Sequence, residues 1–306
     1  MAGKAKAVAK TIGVIGGSGL YEMEGLTSVK AVRVKTPFGD PSDEYMTGML
    51  GDVRLVFLPR HGRGHRKLPS EVNYRANIYG MKKLGVEWLI SVSAVGSMKE
   101  EIKPGHMVIV DQFFDRTKGR ASTFFGDGIV GHVEFADPVC SELGAVLYDA
   151  AKAAGAVVHR GGTYLCIEGP QFSTRAESNI YRKWGVDVIG MTNIPEAKLA
   201  REAEICYATI ALSTDYDCWH VSEESVTIEM ILDTIKKNVS TAKEIIRRAA
   251  PAISPARGGI CPSALSNAVI TDKKAIPSKT FKRLELLLGK YAGKGSGGKP
   301  EPAGGR

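Results

Sequence analysis

Five short apolar runs in this chain each stop at small, hydroxylic or charged residues, and that recurrence restricts the fold more than any other feature. Thr11–Ile15 runs into Gly16-Gly17-Ser18-Gly19, Arg54–Leu58 into Arg60 and His61, and Trp88–Val92 into Ser93 and Ala94. Val186–Ile189 runs into Met191 and Thr192, and Ile205–Leu212 is followed by Asp215 and Asp217. Between the runs lie amphipathic stretches, the pattern of an α/β sheet with helices packed on it. Open α/β sheets bind ligands at the carboxyl ends of their strands. One rim is therefore expected to gather two carboxylates, a guanidinium, an imidazole and several hydroxyls, the layout of an enzyme pocket for a small polar substrate.

The periodicity predicts strands at Thr11–Ile15, Val53–Leu58, Trp88–Val92, Met107–Asp111, Thr163–Ile167, Val186–Ile189 and Ile205–Leu212. It predicts helices at Ser70–Leu84, Glu142–Ala154, Arg175–Trp184, Pro195–Glu204 and Glu223–Ala250, with Pro195 in a first turn and Ser222 as a cap. Thr117–Asp137 is a long Gly-rich loop without a period, which within a domain is usually functional or interfacial. The organisation expected is a flexible segment 1–10, a domain over 11–255, and a basic, largely disordered tail over 256–306 that carries at most a short helix at Thr280–Leu288.

Charge narrows the function. The net +8 sits at the ends: residues 257–306 carry +7 and Lys4, Lys6 and Lys10 another +3, leaving residues 11–256 at −2. The body has no charge-driven reason to bind nucleic acid. No apolar stretch reaches the roughly 20 residues of a membrane helix, and no signal core follows Met1, so a cytoplasmic protein is expected. The five cysteines, Cys140, Cys166, Cys206, Cys218 and Cys261, are scattered without a Cys-x-x-Cys pair. That argues against a zinc ribbon and fits buried thiols in a reducing compartment, with a Cys140–Cys206 bridge left open.

Each motif has a bland alternative. Gly16–Gly19 is a phosphate cradle or a tight turn; it is neither a P-loop nor a dinucleotide fingerprint, because Glu22 stands at the third glycine position. Arg60-His61-Gly62-Arg63-Gly64-His65 is a solvated loop or an oxyanion site, and its place after an apolar strand favours the anion. Glu168–Arg175 is a rigid strand-to-helix connection capped by Ser173 or Thr174. Asp215-Tyr216-Asp217 is a metal site, a surface loop or an acid/base pair. The metal reading lacks a third ligand nearby, and no metal is expected. Two close carboxylates in a dry site tend to share a proton. One can then donate to a ring nitrogen while the other accepts from an exocyclic amine, a match for the edge of adenine.

Taken together, the segments IGVIGGSGL, PRHGRGHRKLPSEVNYRANI, SAVGSMKEEIKPGHMVIVDQFFDRT, IEGPQFSTRAES, GMTNIPEAKLAREAEICYA and STDYDCW closely resemble the trimeric purine nucleoside phosphorylase family from Ile12 to about Ala250. The resemblance implies one α/β domain with a central mixed β-sheet flanked by helices. It implies phosphate-dependent cleavage of the N-glycosidic bond of 5′-methylthioadenosine, with phosphate as co-substrate, no cofactor, and a homotrimer or a dimer of trimers. Phosphate would be held by Ser18, Arg60, His61, Ser93, the Ala94 backbone and Thr192. Ser18 and Ser93 stand where many relatives have threonine, which keeps the hydroxyl. Met191 would pack under the ribose. Asp215 would donate to the purine imidazole nitrogen and Asp217 would receive the 6-amino group, with Tyr216 between them. Phe172, Ser173 and Ile228 would surround the base and the 5′ group, and His132 would reach a neighbouring subunit's pocket. The alternatives are a 6-oxopurine or methylthioinosine phosphorylase, a dinucleotide-binding oxidoreductase, and a nucleic-acid-binding protein acting through the tail.

Overall fold

The computed structural model describes residues 10–17, 19–220 and 228–292, with no side chains described at 228–232 and 292. Ser18, the Ser222 cap, residues 1–9 and residues 293–306 lie outside the described residues.

β1 (Thr11–Gly16) is buried along its whole length, which is why it reads as a continuous apolar run rather than an alternating one. It runs parallel between β4 (Val53–Pro59) and β5 (Trp88–Ser97). On the far side of β5, β11 (Cys206–Asp215) is also parallel, so four strands deliver their carboxyl ends to one rim. Beyond β4 the sheet continues antiparallel through β3 (Tyr45–Leu50) to the edge strand β2 (Thr27–Val32). β6 (Met107–Ile109) pairs antiparallel with β11 and parallel with β8 (Val158–Arg160).

β5 explains how the remaining strands meet the rim. It has ten residues, so it continues past the end of β1, whose last partner on it is Ser91. β10 (Val188–Gly190) then joins β5 antiparallel at Gly96 and Ser97, and carries the parallel strands β9 (Thr163–Ile167) and β7 (Gln112–Arg116). Between Ser91 and Gly96, no strand among the described residues covers β5 on this side. That break in the sheet is where the hydroxyl-bearing residues collect.

Two apolar layers cover the sheet. One takes α1 (Tyr74–Lys83), α4 (Asn193–Glu202) and α6 (Ser278–Ala292), through Ile78, Met81, Ala197, Leu199, Leu284 and Leu287. The other takes α2 (Ser141–Ala153) and α5 (Ile228–Ala252), through Leu143, Leu147, Ala242, Ile245 and Ile246. α3 (Arg175–Lys183) packs at the end of the sheet and is capped by a box in which Thr174 accepts from the Glu177 amide.

The tail over 256–306 needs correction. Residues 256–292 are folded: Cys261, Leu265, Ala268, Leu284, Leu287 and Leu288 are buried, and α6 extends four residues beyond the predicted short helix. Its cations face acids of the body, with Arg257 on Glu87, Arg283 on Asp127 and Lys290 on Glu204. Three of the ten cations in 257–306 thus pair within the chain. Pro195 likewise starts the regular part of α4, because Ile194 breaks helical geometry (φ −112°, ψ 129°).

Candidate active site

Counting along the antiparallel β10 from the Val188–Ser97 and Ile189–Gly96 pairs brings Thr192 opposite Ser93. The Ser93 hydroxyl lies 3.4 Å from that of Thr192 and 3.1 Å from the Tyr164 hydroxyl. Gly190 makes this possible, since a Cβ there would sit 2.0 Å from the Tyr164 oxygen. Thr192 lies three residues ahead of Pro195, where the regular part of α4 starts, and Ala94 is exposed beside Ser93. Hydroxyls gathered beside an open strand edge at the carboxyl ends of the strands offer donors to an oxyanion.

Arg60 is the anchor beneath this cradle, 3% exposed. Its Nε and Nη2 donate to the two carboxylate oxygens of Glu196 at 2.9 and 3.0 Å, a bidentate pair. Nη1 donates to the Val92 carbonyl, and Nη2 also donates to Ser91 Oγ and the Ile15 carbonyl. The sequence reading gave this guanidinium a ligand as its counter-anion; the structure gives it Glu196. Bonds to β1, β5 and α4 hold it in one orientation. His61 follows, with Nδ1 donating to the Lys67 carbonyl at 2.8 Å and its ring stacked on His65. Burial, with help from the Arg60 charge, lowers its pKa to about 4. It is therefore neutral at pH 7, and with Nδ1 carrying the proton, Nε2 is an acceptor.

The carboxylates close the other side. Asp215 ends β11; Oδ2 accepts from Thr214 Oγ1 at 2.7 Å and Oδ1 from the Asp217 amide at 2.8 Å. Asp217 accepts from Ser178 Oγ at 2.5 Å. Gly96 lets the two approach β5, because a Cβ there would meet Asp215 Oδ1 at 3.0 Å and Asp217 Cβ at 3.3 Å. Burial raises the pKa of Asp217; the Ser178 hydroxyl opposes this and the Asp215 charge adds to it. In this state the carboxyl pushed towards protonation is Asp217, whereas the resemblance places the donor at Asp215.

The other candidates fall into different settings. Met191 lies against Gly169, and its carbonyl accepts from Arg120. Because Thr174 takes the cap of α3, Ser173 is left with a buried hydroxyl lacking a partner among the described residues, free for a ligand. Phe172 is 83% exposed, so among the described residues it is largely uncovered. The Tyr216 ring stacks on His220 and its hydroxyl donates to the Glu100 carbonyl. Ile228 opens α5, with no side chain described. His132 is anchored by its amide to the Ala268 carbonyl, and among the described contacts none joins it to the carboxylates.

Sequence reasoning missed Glu196, Ser178 and Arg120. Arg120 comes from the Gly-rich loop and donates to Glu168, the Glu168 and Met191 carbonyls, the Ile194 carbonyl and Tyr74. It ties the loop to both segments around the cradle. Only a lone buried-position cation in an aperiodic loop could have signalled it. The same loop is held by Glu202, which accepts from Thr123 Oγ1 and the Phe124 amide at 2.7 Å each. Burial raises the Glu202 pKa to about 7. A carboxyl raised in the folded state contributes stability that is complete below its unfolded value, near 4.5, and lost as pH rises through about 7. The span corresponds to roughly 3 kcal/mol. Glu202→Gln should flatten this part of the profile; denaturant unfolding of both proteins from about pH 5 to 8 measures it, and parallel profiles would refute the assignment.

Strand-end hydroxyls above a buried, fixed guanidinium, with two carboxylates at the end of the neighbouring strand, are the layout of an α/β enzyme for a small polar substrate. The family model of the phosphorylase superfamily matches residues 11–251. An S-methyl-5′-thioadenosine phosphorylase from Geobacter sulfurreducens is 68% identical over 283 residues, 92% of this chain and 99% of that protein. The crystal structure of a methylthioadenosine phosphorylase from an antarctic soil metagenomic library is similar at a TM-score of 0.88 and 51% identity, covering 92% of this chain and 99% of that one. A mutant adenosine/methylthioadenosine phosphorylase from Schistosoma mansoni, in complex with adenine, is similar at 0.77 and 36%, covering 92% and 98%. The chain belongs to the phosphorylase superfamily.

Proposed function

We propose that the protein cleaves the N-glycosidic bond of 5′-methylthioadenosine with inorganic phosphate, giving adenine and 5-methylthioribose 1-phosphate. The observation that carries this reading is near-full-length identity of 68% to a phosphorylase named for that substrate, joined to an acid pair suited to adenine. A panel of nucleosides with and without phosphate, monitored for free base, tests it. Adenine should appear from methylthioadenosine only with phosphate, and inosine should react poorly. Release without phosphate, or comparable turnover of inosine, would overturn the assignment.

In the reaction, phosphate sits against Ser93, Thr192, the Ala94 backbone and Ser18, with Arg60 and Glu196 fixing the floor. A hydrogen phosphate offers its P–OH to neutral His61 Nε2. The anion attacks the anomeric carbon as the glycosidic bond lengthens towards an oxocarbenium-like state, with Met191 under the ribose. Negative charge grows on the departing adenine. A proton donated through Asp215 meets it at the imidazole nitrogen, and Asp217 accepts from the 6-amino group. Ser173 and Ile228 border the 5′ group, and an apolar wall there disfavours a 5′-hydroxyl by roughly 1–3 kcal/mol. Phosphate is the sole co-substrate and no cofactor takes part.

The choice of base rests on Asp217. An amide at this position can donate an N–H where a carboxylate cannot, so Asp217→Asn should move the ratio of kcat/KM values towards 6-oxopurine nucleosides. An unchanged ratio would remove Asp217 from base recognition. The reading also includes a cytoplasmic homotrimer. Five free thiols support a reducing compartment. Large apolar side chains left in solvent, Phe172 at 83%, Trp184 at 54% and Val130 at 46%, support a subunit interface, with His132 serving the neighbour's pocket.

A further inference from the structure

The three cysteines that sequence spacing leaves unrelated are neighbours in the fold. Cys140 stands at the N-terminal cap of α2, Cys206 begins β11, and Cys261 opens a 3₁₀ turn ahead of α6. All three are buried, and their sulfurs lie within 4.8 Å of one another. All are free thiols. Cys140 and Cys261 also line a cavity of about 550 Å³ that Arg160 and Arg201 border. The cluster lies at the opposite end of β11 from Asp215, about 30 Å away at the rise of a strand, so catalysis does not account for it.

We propose that Cys140, Cys206 and Cys261 form a binding site for a soft monovalent metal ion, Cu(I), reached through this cavity. A metal–sulfur distance of about 2.3 Å in a trigonal arrangement places sulfurs about 4 Å apart, compatible with three sulfurs that all lie within 4.8 Å of one another. Soft thiolates select soft ions. Among the described residues no histidine or carboxylate completes the group, which favours a three-coordinate ion over the four-coordinate zinc of structural sites. Charge is accommodated as well. Arg201 is 3% exposed, its guanidinium donates to the Glu134 and Asp137 carbonyls, and among the described ion pairs it has no carboxylate partner. It supplies a buried positive charge beside an anionic copper–thiolate group. On binding, each coordinating thiol releases its proton to solvent, copper remains Cu(I), and no electrons are transferred.

The test uses the full-length protein, reduced with a phosphine under anaerobic conditions and given Cu(I) in competition with a chromogenic chelator. One copper per chain should be retained, with three sulfur neighbours at about 2.3 Å by X-ray absorption. Alkylation of the native copper-loaded protein, mapped by mass spectrometry, should spare Cys140, Cys206 and Cys261 relative to the copper-free protein. Cys261→Ser, its fold checked by circular dichroism, should lose more than about 100-fold in affinity, beyond the usual cost of an outer contact. Copper left with the chelator, two sulfur neighbours only, zinc taken up in preference, or equal retention by the variant would each overturn the proposal. Should Cys261→Ser fail to fold, the protection pattern of the unaltered protein decides the matter.

Discussion

Asp215→Ala is expected to lower kcat for methylthioadenosine by about 10²–10³-fold, the usual cost of losing one pre-set group at a developing charge. Thr214 and the Asp217 amide each donate to this carboxylate, so its direction is set before substrate arrives. Such preorganisation acts on the transition state, where the leaving base becomes negative, more than on the bound nucleoside. KM should therefore change far less than kcat. A control separates leaving-group assistance from general damage to the site: a nucleoside whose base already departs easily should lose much less rate. Steady-state kinetics on both substrates measures this. A loss below about threefold, or equal losses on both, would show that the carboxyl does not assist departure.

Much of the sheet was legible because the four parallel strands of the rim are buried on both faces, and burial on both faces writes itself as an apolar run. β2 was not, since its residues are almost all exposed and carry no alternation. β7 is likewise mostly exposed. The folded segment 256–292 escaped because it contributes isolated apolar residues, such as Leu265 and Leu284, to a core built by others. Short-range glycine and lysine content outweighed that long-range packing in the reading.

The site shows the same division. Residues at strand ends announced themselves, and the overshoot of β5 explains why residues from the antiparallel β10 join them. What sequence withheld were partners set by distance in space. Glu196 looks like an ordinary helix carboxylate until the fold places it on Arg60, and Ser178 like an ordinary helix hydroxyl until it reaches Asp217. The scattered thiols belong to this class too. Cys140, Cys206 and Cys261 sit at a helix cap, on a strand and in a turn, and no local spacing encodes their meeting. A single sequence carries positions; a contact between distant positions needs the sheet register that brings them together.

That hidden partnership carries the largest stability effect. Glu196→Ala should destabilise the protein by about 3–5 kcal/mol, because it strands a charge that is 3% exposed. The guanidinium cannot escape by losing its proton. Glu196, in contrast, keeps a buried donor when Arg60 is removed, since Tyr207 still donates to it at 3.0 Å. Arg60→Met should therefore cost less in stability than Glu196→Ala, although it removes the guanidinium from the floor of the cradle. The apolar double variant Arg60→Met/Glu196→Leu should recover part of the loss, since neither charge then remains buried. Thermal melts measure the order: a fall of about 10 °C for Glu196→Ala, less for Arg60→Met, and partial recovery for the pair. A Glu196→Ala protein melting within about 2 °C of the parent, or an Arg60→Met protein melting lower than Glu196→Ala, would mean that water or another group already screens the guanidinium.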